Sequence, residues 1–156
     1  MTKSAQRPAT AAKSFDGFSE EERAAMKDHA RELKAESRRL SRADKEAAAE
    51  QDVVAKIAEL AGTDRVLAEA FHQLLKKVAP DLTSKLWYGM PAYCKDGKMV
   101  CFFQSAAKFK SRYATIGFSD QARLDEDTLW PTTYAVTEMN AATEARITEL
   151  VVRALS

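Results

Sequence analysis

The sequence predicts an α+β domain, an antiparallel sheet of about four strands with helices packed on one side. Three observations carry this. Apolar residues recur at helical spacing up to Val78, at period two from Leu86 to about Val136, and at helical spacing again near the C-terminus. Between the strand-like runs lie only turns and loops, with no crossover helix, so consecutive strands pair antiparallel. The order is therefore N-terminal helices, then strands, then a C-terminal helix, which places the helices on one sheet face.

Residues 1–15, rich in Ala, Ser, Thr and Lys with one Pro, read as a disordered tail. They lack the apolar stretch of a signal peptide, so cytoplasm is the expected location. Residues 16–51 read as a charged helical extension. Ser19 followed by Glu22 is a capping box, and Glu20, Glu21 and Glu22 crowd the positive end of the helix dipole. The apolar positions Ala24, Met26, Ala30 and Leu33 are small or scattered, so this helix should pack loosely or project. Residues 40–51 could be a linker or a continuing exposed helix.

Residues 52–156 read as the α+β domain. Val53, Val54, Ile57, Leu60 and Ala61 fall on one helical face, and Gly62 stops that helix. Thr63 is the expected cap of a second helix striped by Leu67, Phe71, Leu74, Leu75 and Val78, ended by Pro80. Strands are expected at 86–88, 99–103, 112–118 and the "TTYAV" run. A last helix, capped by Asn140, carries Ile147, Leu150, Val151 and Ala154 on one face.

The segment "LWYGMPAYCKDGKMVCFF" is the most unusual. Asp96 and Gly97 suit a two-residue type I′ turn, whose central positions both need positive φ. That register sets Lys95 opposite Lys98, Cys94 opposite Met99 and Ala92 opposite Cys101. Cys94 and Cys101 then share a face diagonally, too far apart for a relaxed bridge, and read as reduced thiols serving as small apolar residues. Gly89 and Pro91 do not suit a central strand interior, so "YGMPAY" reads as a kinked or bulged edge. Trp87, Tyr88, Met90 and Tyr93 are the candidates for a ligand pocket beside that edge. The competing reading makes the rings core residues with polar tips at the surface.

Chemical motifs are sparse. The chain has no G-x-G-x-x-G or Walker loop, no G-x-S-x-G elbow, and no C-x-x-C or H-x-x-x-H spacing. Its two histidines, His29 and His72, are far apart in sequence, and His72 reads as a boundary residue rather than a base. No catalytic residue is assigned. Net charge of +1 provides no global field toward nucleic acid or membrane. Residues 76–112 do carry eight Lys or Arg against two Asp, interleaved with rings. Rings on both sides of a strand cannot all be exposed, so nucleic acid is not an expected partner. No apolar run is long enough for a membrane span.

"LWYGMPAYCKDGKMVCFFQSAAKFKSRYATIGFSD" followed by "WPTTYAV" resembles the YdhG-like family of small bacterial proteins, a domain of unknown function. The "YGMP" step, the "DGK" turn and the following "FF" strand carry the resemblance, which spans roughly residues 50–156. It implies an α+β fold with helices flanking a sheet. Some members are described as frataxin-like iron chaperones, which implies labile iron as cargo and iron-cluster or haem assembly proteins as partners. A weak site of that kind uses clustered carboxylates, hard oxygen ligands for iron. Asp120, Asp125, Glu126 and Asp127 are the candidate metal residues here, with Glu20, Glu21 and Glu22 a second acidic cluster. No tightly bound cofactor is expected. The alternative is a non-catalytic small-ligand or protein-interaction module using the "WYGMPAY" edge, and an enzyme ranks last.

Overall fold

The computed structural model describes residues 19–156; the tail expected at 1–15 lies outside them. Three α-helices and five strands follow in the order α1 (Glu20–Glu59), α2 (Gly62–Val78), β1 (Thr83–Trp87), β2 (Met90–Lys95), β3 (Lys98–Gln104), β4 (Ala114–Phe118), β5 (Thr133–Val136) and α3 (Ala141–Ala154). The class is the expected α+β, with five strands instead of about four. None of these helices is long and apolar enough to cross a membrane.

The chain divides into two compact units between Asp44 and Lys45. In the first, the Ser19 hydroxyl accepts the Glu22 amide at 3.1 Å, the capping half of the expected box, and donates to the Glu22 carboxylate at 3.1 Å. Every described residue of this unit is exposed. Residues 40–51 are not a linker, because α1 runs through them without a break to Glu59.

The second unit holds the sheet, in the order β1-β2-β3-β4-β5, every neighbouring pair antiparallel. Its pleat sorts side chains by face. Ser84, Tyr93, Cys101 and Phe118 form one cross-strand row, and Lys85, Ala92, Phe102, Gly117 and Thr133 form the row of the opposite face. The first face meets the helices. Val53 and Ile57 of α1, Leu67, Phe71 and Leu75 of α2, and Ile147, Leu150 and Val151 of α3 share one core with Tyr93, Cys101, Phe103 and Ile116. The α3 pattern is met in full, and Asn140 caps it by accepting the Thr143 amide at 2.9 Å. The α1 face is narrower than the sequence suggests: Val54 is half exposed and Ala61 exposed. Thr63 does not cap α2, whose N-cap is Ala61 with no side-chain bond.

Two further expectations are corrected in the β2–β3 hairpin. The Asp96–Gly97 turn sets Lys95 opposite Lys98 and Cys94 opposite Met99 as expected, with φ of 52° and 80°. Beyond it the register shifts: Tyr93 faces Cys101 and Ala92 faces Phe102, so Val100 is the extra residue. A sequence count assumes a regular ladder, which a bulge breaks. The Ser119 amide takes the Val100 carbonyl at 2.9 Å, and the Ser119 hydroxyl donates to the Met99 carbonyl, so the bulge's acceptors are satisfied from outside the hairpin. Cys94 and Cys101 consequently do not share a face. Cys101 joins the helix-side core and Cys94 does not, although both are buried free thiols.

Candidate functional site

The "YGMP" step is a hairpin tip, not a kinked edge. Tyr88 and Gly89 have φ of 51° and 76°, and Trp87 pairs with Met90 across them, so a second two-residue turn joins β1 to β2. Hairpin hydrogen-bonded and non-hydrogen-bonded pairs alternate, which leaves Pro91 opposite Leu86 with its missing N–H facing away from β1. The β2–β3 pairing begins only at Ala92, so proline loses no ladder bond there either. The segment reads as an irregular strand because tyrosine seldom takes positive φ, and nothing in the sequence marks Tyr88 as a turn residue.

This tip faces the α1–α2 joint across a cleft of about 500 Å³. Lys56, Glu59 and Leu60 line it from the end of α1, and Ala61 and Asp64 from the start of α2. Gly89, Met90 and Pro91 form the sheet side with Phe103 and Ser105, and Ala107 and Lys108 close it from the β3–β4 loop.

Asp64 builds the wall. It is 8% exposed, and its two carboxylate oxygens accept the Ala106 and Ala107 amides at 2.9 and 3.0 Å. A carboxylate sharing two adjacent backbone donors fixes that loop against α2. The clamp sets the position of Lys108, whose ammonium donates to the Tyr88 carbonyl and lies 5.6 Å from the Phe109 ring centroid. Gly89 makes room for this. A Cβ there would lie 2.7 Å from the Lys108 Nζ and 3.7 Å from the Lys56 Cε.

The four sequence candidates for a pocket are not brought together on this cleft. Met90 lines it. Tyr88 is 80% exposed at the tip. Trp87 lies on the opposite sheet face, its ring 5.3 Å from those of Tyr88 and Phe102. Tyr93 is a core ring, edge-on to Phe71 at 5.5 Å and hydrogen-bonded to His72 Nδ1 at 2.9 Å. Tyr93 is a core ring as the competing reading has it, but its polar tip is buried against His72 and not at the surface, and of the four only Met90 is among the residues lining the cleft. Sequence reasoning missed Asp64, Lys56 and Lys108 as partners. The one available signal was Gly89, since a glycine in a strand-like run can mark a close approach of another chain segment.

The acidic candidates lie in the β4–β5 loop. There the Arg123 amide donates to the Ala154 carbonyl at 3.0 Å, and Arg153 Nη2 reaches both the Leu124 carbonyl and Glu126 Oε1 at 3.4 Å. Asp127 takes a left-handed φ of 48°. Among the described residues, no three His, Cys, Asp or Glu side chains form a group that could hold a metal ion. The cysteines are poor ligands as they stand. Burial pushes the Cys101 thiol up to about 12, and burial raises Cys94 as well.

Compared with protein-family models, curated proteins and solved structures, the chain finds no match.

Proposed function

We infer that this domain is a non-catalytic binding module holding a small ligand in the cleft between the α1–α2 joint and the Gly89 hairpin tip. The observation that carries this is the convergence on one cleft of the "GMP" residues, which had no other account, with an Asp64 clamp that fixes the facing loop. Leu60, Pro91 and Phe103 offer an apolar floor, and a few placed polar groups rim it, the usual make-up of a ligand site. Both Asp64 oxygens are committed to backbone donors, which supports a holding role over general-base chemistry. The resemblance to YdhG-like proteins is consistent with this reading, because the "YGMP" step that carries it supplies the cleft's sheet side.

The test is a small-molecule thermal-shift screen followed by amide shift mapping. Hits should perturb residues 56–64, 89–91 and 103–108, and Leu60→Trp, which enlarges a side chain lining the cleft from α1, should abolish them. Hits that map to the exposed Tyr88 tip and ignore Leu60→Trp would point to an interaction surface instead.

A further inference from the structure

The lining of this cleft specifies a ligand class. Two lysine side chains approach Gly89, Lys108 by its ammonium and Lys56 by its Cε. Lys108 bonds a neutral carbonyl, and among the described residues no ion pair involves either lysine. Two cations lining one cleft without a counter-ion favour an anion there. The carboxylates nearby do not serve: Asp64 is turned to the Ala106 and Ala107 amides, and Glu59 lines the cleft without reaching either ammonium. The start of α2 opens on the same cleft, and its N-cap, Ala61, supplies no side-chain acceptor. The positive end of the helix dipole therefore adds to the pull on an anion, against the opposing charge of Asp64 in the same turn. Leu60, Pro91 and Phe103 supply apolar lining.

Resting on the cleft-binding reading, we propose that the ligand is a small anionic amphiphile, a carboxylate or phosphate head on an apolar body. Lys56 and Lys108 face its head, and its body lies along Leu60, Pro91 and Phe103. Gly89 is a positioning residue in this arrangement, because the absence of a side chain leaves the Lys108 ammonium its place over the tip.

Octanoate, octyl phosphate, octanol and inorganic phosphate, titrated into the full chain with amide shift mapping, test this. Octanoate or octyl phosphate should bind in the cleft at least about tenfold more tightly than octanol, with affinity falling as salt rises. Whichever head group binds better names the source of the anion. Lys56→Gln and Lys108→Gln should each weaken binding about fivefold to tenfold. Lys56→Gln is the cleaner arm, since Lys108 also ties the tip. Glu59→Gln should tighten binding. Octanol binding as well as octanoate, with both lysine variants indifferent, would overturn the anionic assignment and leave the cleft reading standing. No cleft perturbation by any amphiphile would overturn both. Inorganic phosphate alone binding as tightly as octyl phosphate would overturn the apolar half.

Discussion

His72 Nδ1 and the Tyr93 hydroxyl lie 2.9 Å apart and share a hydrogen bond between α2 and β2. Tyr93 is 3% exposed, so its hydroxyl depends on that partner. Burial holds His72 below the ordinary imidazole range, with Glu50 pulling the other way and Lys76 adding to the depression. The neutral ring is therefore the folded form. Stability from this group is fully present above the unfolded value of about 6.5, is lost as pH falls below it, and levels off once the folded ring also protonates. Urea unfolding at pH 8, 6 and 5 should show this fall, and His72→Gln should flatten it. An unchanged slope in that variant would show that other groups carry the acid sensitivity. Tyr93→Phe should cost about 0.5–1.5 kcal/mol at pH 8.

Gly117 lies opposite Phe102 on the sheet face away from the helix-side core, and a Cβ there would come within 2.2 Å of the Phe102 ring. Gly117→Ala should cost about 1–3 kcal/mol by overpacking. In a double-mutant cycle Phe102→Ala should remove most of that cost. Additive losses would mean that the ring moves aside freely. Gly97 is the contrast, with open space around its Cβ position and only its φ of 80° against it. Gly97→Val should cost about 1 kcal/mol or more through backbone strain alone.

The Asp64 clamp predicts a local effect and a global one. Asp64→Ala orphans the Ala106 and Ala107 amides and should cost about 1–3 kcal/mol. Amide exchange at 106 and 107 should rise well beyond that at the β-ladder positions of β3, since only these donors lose their acceptor. Equal rises across β3 would mean that the whole sheet loosens, and that Asp64 is not a local clamp.

Most of the fold was legible because periodicity reports burial directly: α3 follows its stripe residue for residue, and in α2 Leu67, Phe71 and Leu75 are buried with Leu74 and Val78 partly so, Ala68 and Asp64 being the buried positions the stripe lacked. Asp96 and Gly97 announce their turn by composition. Tyr88 and Gly89 make the same kind of turn without announcing it, and this cost the sequence reading one strand. The Val100 bulge is held by what the Ser119 amide and hydroxyl donate to β3, a contact between distant segments that no local pattern encodes. The cleft was hidden for the same reason. Lys56, Asp64, Gly89 and Lys108 span three stretches of sequence and look like ordinary surface residues until the chain folds.

Ferrous iron separates the ligand-cleft reading from the iron-carrier reading that the YdhG-like resemblance implies. A carboxylate site for labile iron needs several oxygens directed at one point. In the β4–β5 loop, Arg153 engages Glu126 and the backbone before it. Asp120 and Asp125 are five residues apart around that pinned loop. Anaerobic ferrous titration followed by amide shifts should therefore give only millimolar, dispersed effects at neutral pH. The variant carrying Asp125→Asn, Glu126→Gln and Asp127→Asn should behave like wild type. Arg153→Gln frees Glu126 and should strengthen the loop's response slightly, a difference that a site elsewhere would not show. Micromolar binding confined to residues 120–127 and lost in the triple variant would instead favour the carrier. The same affinity confined to Glu20, Glu21 and Glu22 would move the iron site to the start of α1 and leave the cleft to its own ligand.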